Sequence, residues 1–205
     1  LFWVMSSSLL VTVEGGRYLV RNELDRSTLS KHESPDEALD ASISFLEQSM
    51  HRGGEIRLGP GTFDLTAPIV LGSDVTLRGA GASTVLRLEC DYGIVARRAD
   101  RVTVSDLAIQ SGRQAQASGS WRERSSVDRT GVLLQECGDC AVRDVYCTSL
   151  DVGIHLAENT FLSEISGCRL AGCRRAGVLL EGLAEGGRAG DFVPNIVSNC
   201  IAYEG

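Results

Sequence analysis

The sequence predicts an all-β chain: a parallel β-helix, in which short strands stack coil upon coil, preceded by a short hairpin and one α-helix. Three observations carry that expectation. A strand pattern returns four times, as Gly93-Ile-Val-Ala, Gly131-Val-Leu-Leu, Gly153-Ile-His-Leu and Gly177-Val-Leu-Leu. A second pattern follows each copy, as Val104-Ser-Asp-Leu, Val142-Arg-Asp-Val, Ile165-Ser-Gly-Cys and Val197-Ser-Asn-Cys. Beyond residue 54 the strands run three to five residues between Gly and Pro, and no helix-length segment returns.

The spacing of the copies identifies the unit. Successive first patterns are 38, 22 and 24 residues apart, and first and second patterns are separated by 11, 11, 12 and 20. A period of 22–24 residues suits one coil, each contributing strands that stack on those of the next. A leucine-rich repeat shares the period, but its Leu/Asn signature is missing, and a sandwich would not hold one register over four copies. The two long intervals are coils with insertions, near residues 111–127 and 182–195. With 23 glycines and an aromatic share of only 5%, tight turns between short strands are favoured over a helical bundle.

Two elements precede the repeats. Residues 11–22 read as a hairpin turning at Gly15-Gly16. Ser34 is placed to cap a helix, with Pro35 at its first position and Glu37 at capping-box spacing. Leu39, Ile43, Leu46 and Met50 then share one face, and Gly53-Gly54 would stop the helix. The expected organisation is an N-terminal segment and helix over residues 1–54 and coils over 55–205.

Composition excludes some partners. A formal charge of −7 argues against nucleic acid or an anionic membrane surface. The opening LFWVMSSSLL is too short to span a bilayer and lacks the basic residues that begin a signal peptide, though it suits the remnant of one. Seven cysteines leave at least one thiol unpaired or paired between chains, and their scatter is unlike a compact disulfide framework. The chain does not begin with Met, and its last repeat ends at Glu204-Gly205 without a cap. It therefore reads as a fragment, whose end further coils or another subunit would cover.

The run GGEIRLGPGTFDLTAPIVLGSDVTLRGAGASTVLRL resembles the first coils of the pectate-lyase-like right-handed β-helix superfamily, over residues 34–110. The resemblance implies right-handed coils, a helix that caps the N-terminal end, and an extracellular or cell-surface setting. For activity it implies several options, since polysaccharide lyases, glycoside hydrolases, mannuronan epimerases and phage tailspikes all use this fold. Their motifs do not transfer. Where epimerases carry Asp-Pro-His-Glu, this chain has Gly153-Ile-His-Leu-Ala-Glu158. Neither the calcium-binding aspartates of pectate lyases nor the paired aspartates of polygalacturonases are recognisable, so no cofactor is expected, and calcium stays open without a recognisable site.

Strand alternation assigns the faces. Ile94, Val132, Ile154 and Val178 form one inward row, and Ala96, Leu134, Leu156 and Leu180 another. The outward row between them is Val95, Leu133, His155 and Leu179. Its apolar members imply a covered face, and His155 reads either as an inert surface residue or as part of a groove. Two residues before each Gly stand Asp91, Arg129, Asp151 and Arg175, readable as a charge ladder. They are also readable as catalytic equipment, with Asp151 and His155 as base and acid and Arg175 or Arg129 binding a substrate carboxylate.

In the first insertion, Trp121 could stack on a sugar ring while Arg122 and Arg124 grip carboxylates, or Trp121 could pin the loop to the apolar row. The Cys137-Gly-Asp-Cys140 spacing is that of half a zinc site, but no second pair aligns with it. The register instead places Cys137 over Ala99 and Cys140 over Val102, as buried thiols at a corner. Cys168 and Cys200 stack on adjacent coils, where a disulfide is conceivable but strained. The expected function is that of a carbohydrate-active protein binding, and cleaving or epimerising, an acidic uronate-type polysaccharide. The alternative is a non-catalytic surface, tailspike-like or glycan-binding module.

Overall fold

The computed structural model describes residues 7–49, 53–112, 129–182 and 194–203. The described chain is mostly β, with one α-helix and two sheets whose pairings are predominantly parallel. The smaller sheet joins Ile69–Leu71, Tyr92–Arg97, Thr130–Gln135, Val152–Ala157 and Ala176–Leu180, all parallel. Most other strands lie in the larger sheet, which visits the second pattern of every repeat.

The pairing register is the one the repeats imply. Ile94, Val132, Ile154 and Val178 are direct partners in succession, as are Ala96, Leu134, Leu156 and Leu180. Adjacent strands are ~4.8 Å apart, so these rows form continuous aliphatic ladders. Each fully buried member contributes about 1.5–3 kcal/mol. The ladders open at the last strand, where Leu180 is 53% exposed against 1% for Leu156.

Three of the four first-pattern glycines stand where the strands approach closely, and the fourth, Gly177, is crowded by the Ala202 and Leu170 side chains. A Cβ on Gly93 would sit 2.7 Å from the carbonyl oxygen of Gly131, and one on Gly131 or Gly153 would sit 2.6 Å from the next glycine's oxygen. The second pattern has a different constraint. Its third residue is left-handed in every copy: Asp106 (φ 55°), Asp144 (φ 53°), Gly167 (φ 66°) and Asn199 (φ 53°). Gly, Asn and Asp enter that region at least cost. The bend turns the strand while Val104 and Leu107, Val142 and Val145, and Ile165 and Cys168 all stay buried.

The C-x-x-C spacing is a corner of the same kind. Glu136 and Asp139 are left-handed (φ 54° each), as are Arg98 and Arg101 one repeat earlier (φ 50° and 57°). Cys137 and Cys140 therefore point inward, 0% and 2% exposed, beside Ala99 and Val102 at 2% and 1%. Thr160 and Ser163 occupy the corner of the following repeat, accepting from the backbone N–H groups of Cys137 (3.4 Å) and Cys140 (3.2 Å). All seven cysteines are free thiols, including Cys168 and Cys200.

At the N-terminal end, Ser7–Glu14 and Arg17–Asn22 form the expected hairpin, with Gly15 and Gly16 both at positive φ. Thr28–His32 adds a third antiparallel strand that the sequence pattern did not reveal. The helix spans Pro35–Gln48, and the Ser34 hydroxyl accepts from the Glu37 N–H at 3.2 Å. Ala38, Leu39, Ile43 and Leu46 make its buried face, while Met50 lies outside the described residues. Its stop differs from expectation. Ser49 caps the C-terminus, and Gly54 instead opens a strand so tightly packed that a Cβ would strike the Ser7 carbonyl oxygen and the Leu46 side chain. Ser7–Glu14 pairs in parallel with that strand, Gly54–Leu58, which ties the hairpin to the repeats.

Candidate functional site

The outer face of the small sheet gathers the groups with chemistry. Val152–Ala157 holds Ile154 and Leu156 inward, at 0% and 1% exposure, so His155 faces out. Its partners across the sheet are Leu133 and Leu179. Val95 and Leu133 are nonetheless only 3% and 5% exposed, and with Ala157 and Tyr92 they form a second apolar cluster outside the main core. His155 therefore stands on a covered face, with 16% of its side chain exposed.

A carboxylate meets it there. Glu181 Oε2 lies 3.0 Å from His155 Nε2, and Glu181 Oε1 lies 4.0 Å from Arg175 Nη2. The His155–Glu181 contact is electrostatic, because the ring N–H is not aligned for a hydrogen bond and Nε2 is buried without such a partner. Glu181 is fixed at its backbone, where its N–H donates to the Leu156 carbonyl at 2.8 Å. Imidazole, carboxylate and guanidinium thus converge, with Glu181 between the other two.

Asp151 occupies a different environment. One carboxylate oxygen accepts the backbone N–H of Arg129 at 2.7 Å, and the other pairs with the Arg174 guanidinium. Four residue steps along extended chain carry it to His155, a span of ~13 Å. Arg129 is 8% exposed. Its Nη1 donates to Ser111 Oγ, and its Nε is buried with no hydrogen-bond partner among the described residues. The row Asp91, Arg129, Asp151 and Arg175 is stacked through its backbone: Thr130, Asp151 and Arg175 donate to the carbonyls of Asp91, Arg129 and Asp151 at 2.8–2.9 Å. Trp121, Arg122 and Arg124 lie outside the described residues.

Glu181 and Arg174 were missed from the sequence. Glu181 directly follows the last first-pattern copy and continues the column through Gln135 and Ala157, so reading outward positions one step past Leu179 would have reached it. Arg174 offers no such signal, since it belongs to the turn before its strand.

The thiols add little reactivity to this face. Burial pushes Cys147 well up and Cys168 up to about 12. The Cys140 thiol draws Cys137 down to about 7, while Cys137 and then burial push Cys140 up. Among the described residues no three His, Cys, Asp or Glu side chains gather as a metal site, and no described helix is long and apolar enough to cross a membrane.

No family model matches this chain, and no curated protein matches it. Two solved structures are similar at low identity. One is a candidate glycosyl hydrolase from Parabacteroides merdae, 17% identical, with 81% of this chain and 89% of that one covered and a TM-score of 0.46. The other is the ORF18 protein of Geobacillus virus E2, 14% identical, with a TM-score of 0.44. The match takes in 90% of this chain but 54% of the viral one, so this chain spans about half of that protein.

Proposed function

We propose that this chain is a right-handed parallel β-helix whose small-sheet outer face binds an acidic, uronate-type polysaccharide and cleaves or epimerises it. The observation that carries the reading is the convergence of His155, Glu181 and Arg175 on a face whose neighbouring outward residues are buried. A rigid sheet of stacked strands with one acid–base cluster on a covered face is the usual setting of a binding cleft.

The chemistry follows from the uronate carboxylate, which acidifies the hydrogen on the adjacent carbon. With Nε2 buried against Glu181, the other ring nitrogen of His155, Nδ1, removes that proton, Glu181 orients the ring and balances the imidazolium, and Arg175 holds the carboxylate as negative charge spreads onto it. Cleavage of the C–O bond, with water giving the departing oxygen its proton, then gives an unsaturated chain end, whereas return of a proton from water to the carbon on the opposite face gives the epimer. Asp151, held by the Arg129 N–H and Arg174, keeps the turn before the strand in place rather than touching the sugar. Trp121, Arg122 and Arg124 supply further substrate contacts, while Arg129, buried and held by Ser111, supports the turn instead of reaching the polymer, and such a protein belongs outside the cell or on its surface.

The test is incubation with polygalacturonate and with alginate. Ultraviolet absorbance of unsaturated ends reports a lyase, reducing ends without that absorbance report a hydrolase, and deuterium uptake from heavy water reports an epimerase. A second reading, a non-catalytic glycan-binding module, is favoured by the pairing of Arg175 with Glu181, which leaves both groups partly neutralised. Polymer binding without any of the three reactions selects it. Absence of both binding and reaction rejects the carbohydrate reading altogether.

A further inference from the structure

The large sheet carries a concave site, away from His155. Its outer face has Leu10, Arg57, Arg78 and Ser105 as direct partners on successive strands, while Ile56, Leu58, Leu77 and Val104 face the core. The two guanidiniums thus project side by side from adjacent strands, whose spacing is ~4.8 Å. As the chain leaves these strands it forms a rim from Gly59 and Pro60 and from Gly79, Ala80 and Gly81. Leu10, Arg57 and Arg78, with this rim and Asp106, line an open depression of about 370 Å³. The rim presents backbone because it has to: a Cβ on Gly59 would crowd Thr12 at 3.2 Å, and one on Gly79 would strike the Asp106 carbonyl and Leu107.

The charges are held in position. Asp106 sits at the left-handed bend (φ 55°), accepts from Ser105 Oγ at 3.0 Å, and has one oxygen 3.0 Å from Arg78 Nε. That contact fixes the guanidinium by its side and leaves both Nη groups with no hydrogen bond to a described residue. They are the two donors that grip a carboxylate bidentately. Arg57 is braced from behind by Glu23 and by Glu55, neither of which lines the depression. The lining charge is therefore two guanidiniums against one carboxylate, beside the aliphatic surfaces of Leu10 and Pro60.

We infer that this depression is a binding site for one carboxylate-bearing sugar ring, its carboxylate on the Arg78 Nη groups and its ring against Leu10, Pro60 and the glycine rim. The volume is near the lower end for ligand pockets (roughly 300–1,000 Å³), which suits a single ring or chain end rather than a polymer groove. The choice of a sugar rests on the function proposed above, while the site stands on a different sheet and shares no residue with the His155 cluster.

The experiment is titration of the full chain with sodium galacturonate, with galactose as the neutral match, followed by NMR shifts and calorimetry. Galacturonate should bind and galactose should not. Arg78→Ala should weaken binding by at least about tenfold, the scale of hydrogen bonds to a charged group. Arg78→Lys should weaken it comparably, since an ammonium cannot make the paired contact. Asp106→Asn, which tolerates the bend, should weaken it less, with circular dichroism unchanged in each variant. Equal affinity for galactose, retained affinity in both Arg78 variants, or no galacturonate binding at millimolar concentration would each overturn the inference. Galacturonate binding by a protein silent on both polymers would reject the proposed reaction and leave this site standing.

Discussion

His155 Nε2 and Glu181 Oε2 are 3.0 Å apart although Glu181 lies one residue past the end of the strand that stacks on His155's own, and Arg175 closes on the same carboxylate from the turn before that second strand. The arrangement is a product of stacking: residues 26 positions apart meet because one strand lies directly on another. Each of the three can be altered without touching the core, since all point outward from the sheet. Replacing Glu181 by Gln should therefore leave the melting temperature nearly unchanged and lower turnover of a uronate polymer by roughly 10²-fold, the lower range for a positioned acid–base group. Full turnover in Glu181→Gln would remove the carboxylate from the mechanism.

Asp151→Ala should act on stability first. It leaves the buried Arg129 N–H without its acceptor and Arg174 without its carboxylate, a cost of about 1–3 kcal/mol. The urea midpoint should fall accordingly. If the midpoint holds while turnover collapses, Asp151 touches the substrate and its role here is wrong.

The ladders make a graded prediction. Leu134→Ala, in mid-ladder and 1% exposed, should cost about 2–5 kcal/mol, whereas Leu180→Ala, 53% exposed in the same row, should cost well under 1 kcal/mol, roughly the scale of surface substitutions. Gly153→Ala adds only one methyl, but the Gly177 oxygen lies 2.6 Å and Leu170 Cδ2 2.9 Å from where it would go. Overpacking of that kind typically costs about 1–3 kcal/mol. Denaturant curves on the three variants test the ordering, and similar losses for Leu134 and Leu180 would contradict it.

Much of this architecture could be read from residue order because stacking repeats the same local problem. Each copy needs a glycine where neighbours crowd in, two alternating inward aliphatics, and a bend, and the four copies solve it with recognisable residues. The left-handed bend falls at Asp106, Asp144, Gly167 and Asn199, a position that the repeat aligned without marking it as a bend. What stayed hidden depends on side-chain reach rather than on period. Asp151 and Arg175 share a column, yet Asp151 pairs with Arg174, one residue before the column, and Arg175 turns to Glu181. Thr28–His32 was missed because five residues with only one aliphatic carry no strand period.

The corner thiols separate charge from access. Cys137 is the thiol drawn down to about 7, which by itself would make it the most reactive sulfur, but it is 0% exposed. Maleimide applied to the native protein should therefore modify the half-buried Cys90, Cys173 and Cys200 first, and reach Cys137, Cys140, Cys147 and Cys168 only after unfolding. Peptide mass mapping distinguishes the two groups. Native labelling of Cys137 would mean that the corner opens.

Acid should destabilise the fold, and the sign follows from its carboxylates. The Ser8 hydroxyl and then Arg57 hold Glu23 below its ordinary value, and hydrogen bonds from Arg101, Arg143 and Arg21 do the same for Asp74, Glu164 and Glu14. A carboxyl whose folded value is depressed releases its proton more readily in the folded state, so the unfolded chain binds more protons at low pH. The resulting stabilisation is fully present above the unfolded carboxylate values of about 4 and is lost as pH falls through the lower folded ones. Most of these pairs are solvent-exposed, so each contributes little and salt weakens it. Glu23 differs, because Ser8 and Arg57 both depend on it where the hairpin meets the repeats. Glu23→Gln should flatten the loss of melting temperature between about pH 5 and pH 3 more than Glu14→Gln does. Identical pH profiles for the two variants would show that the Ser8–Glu23–Arg57 link carries no special share of the acid sensitivity.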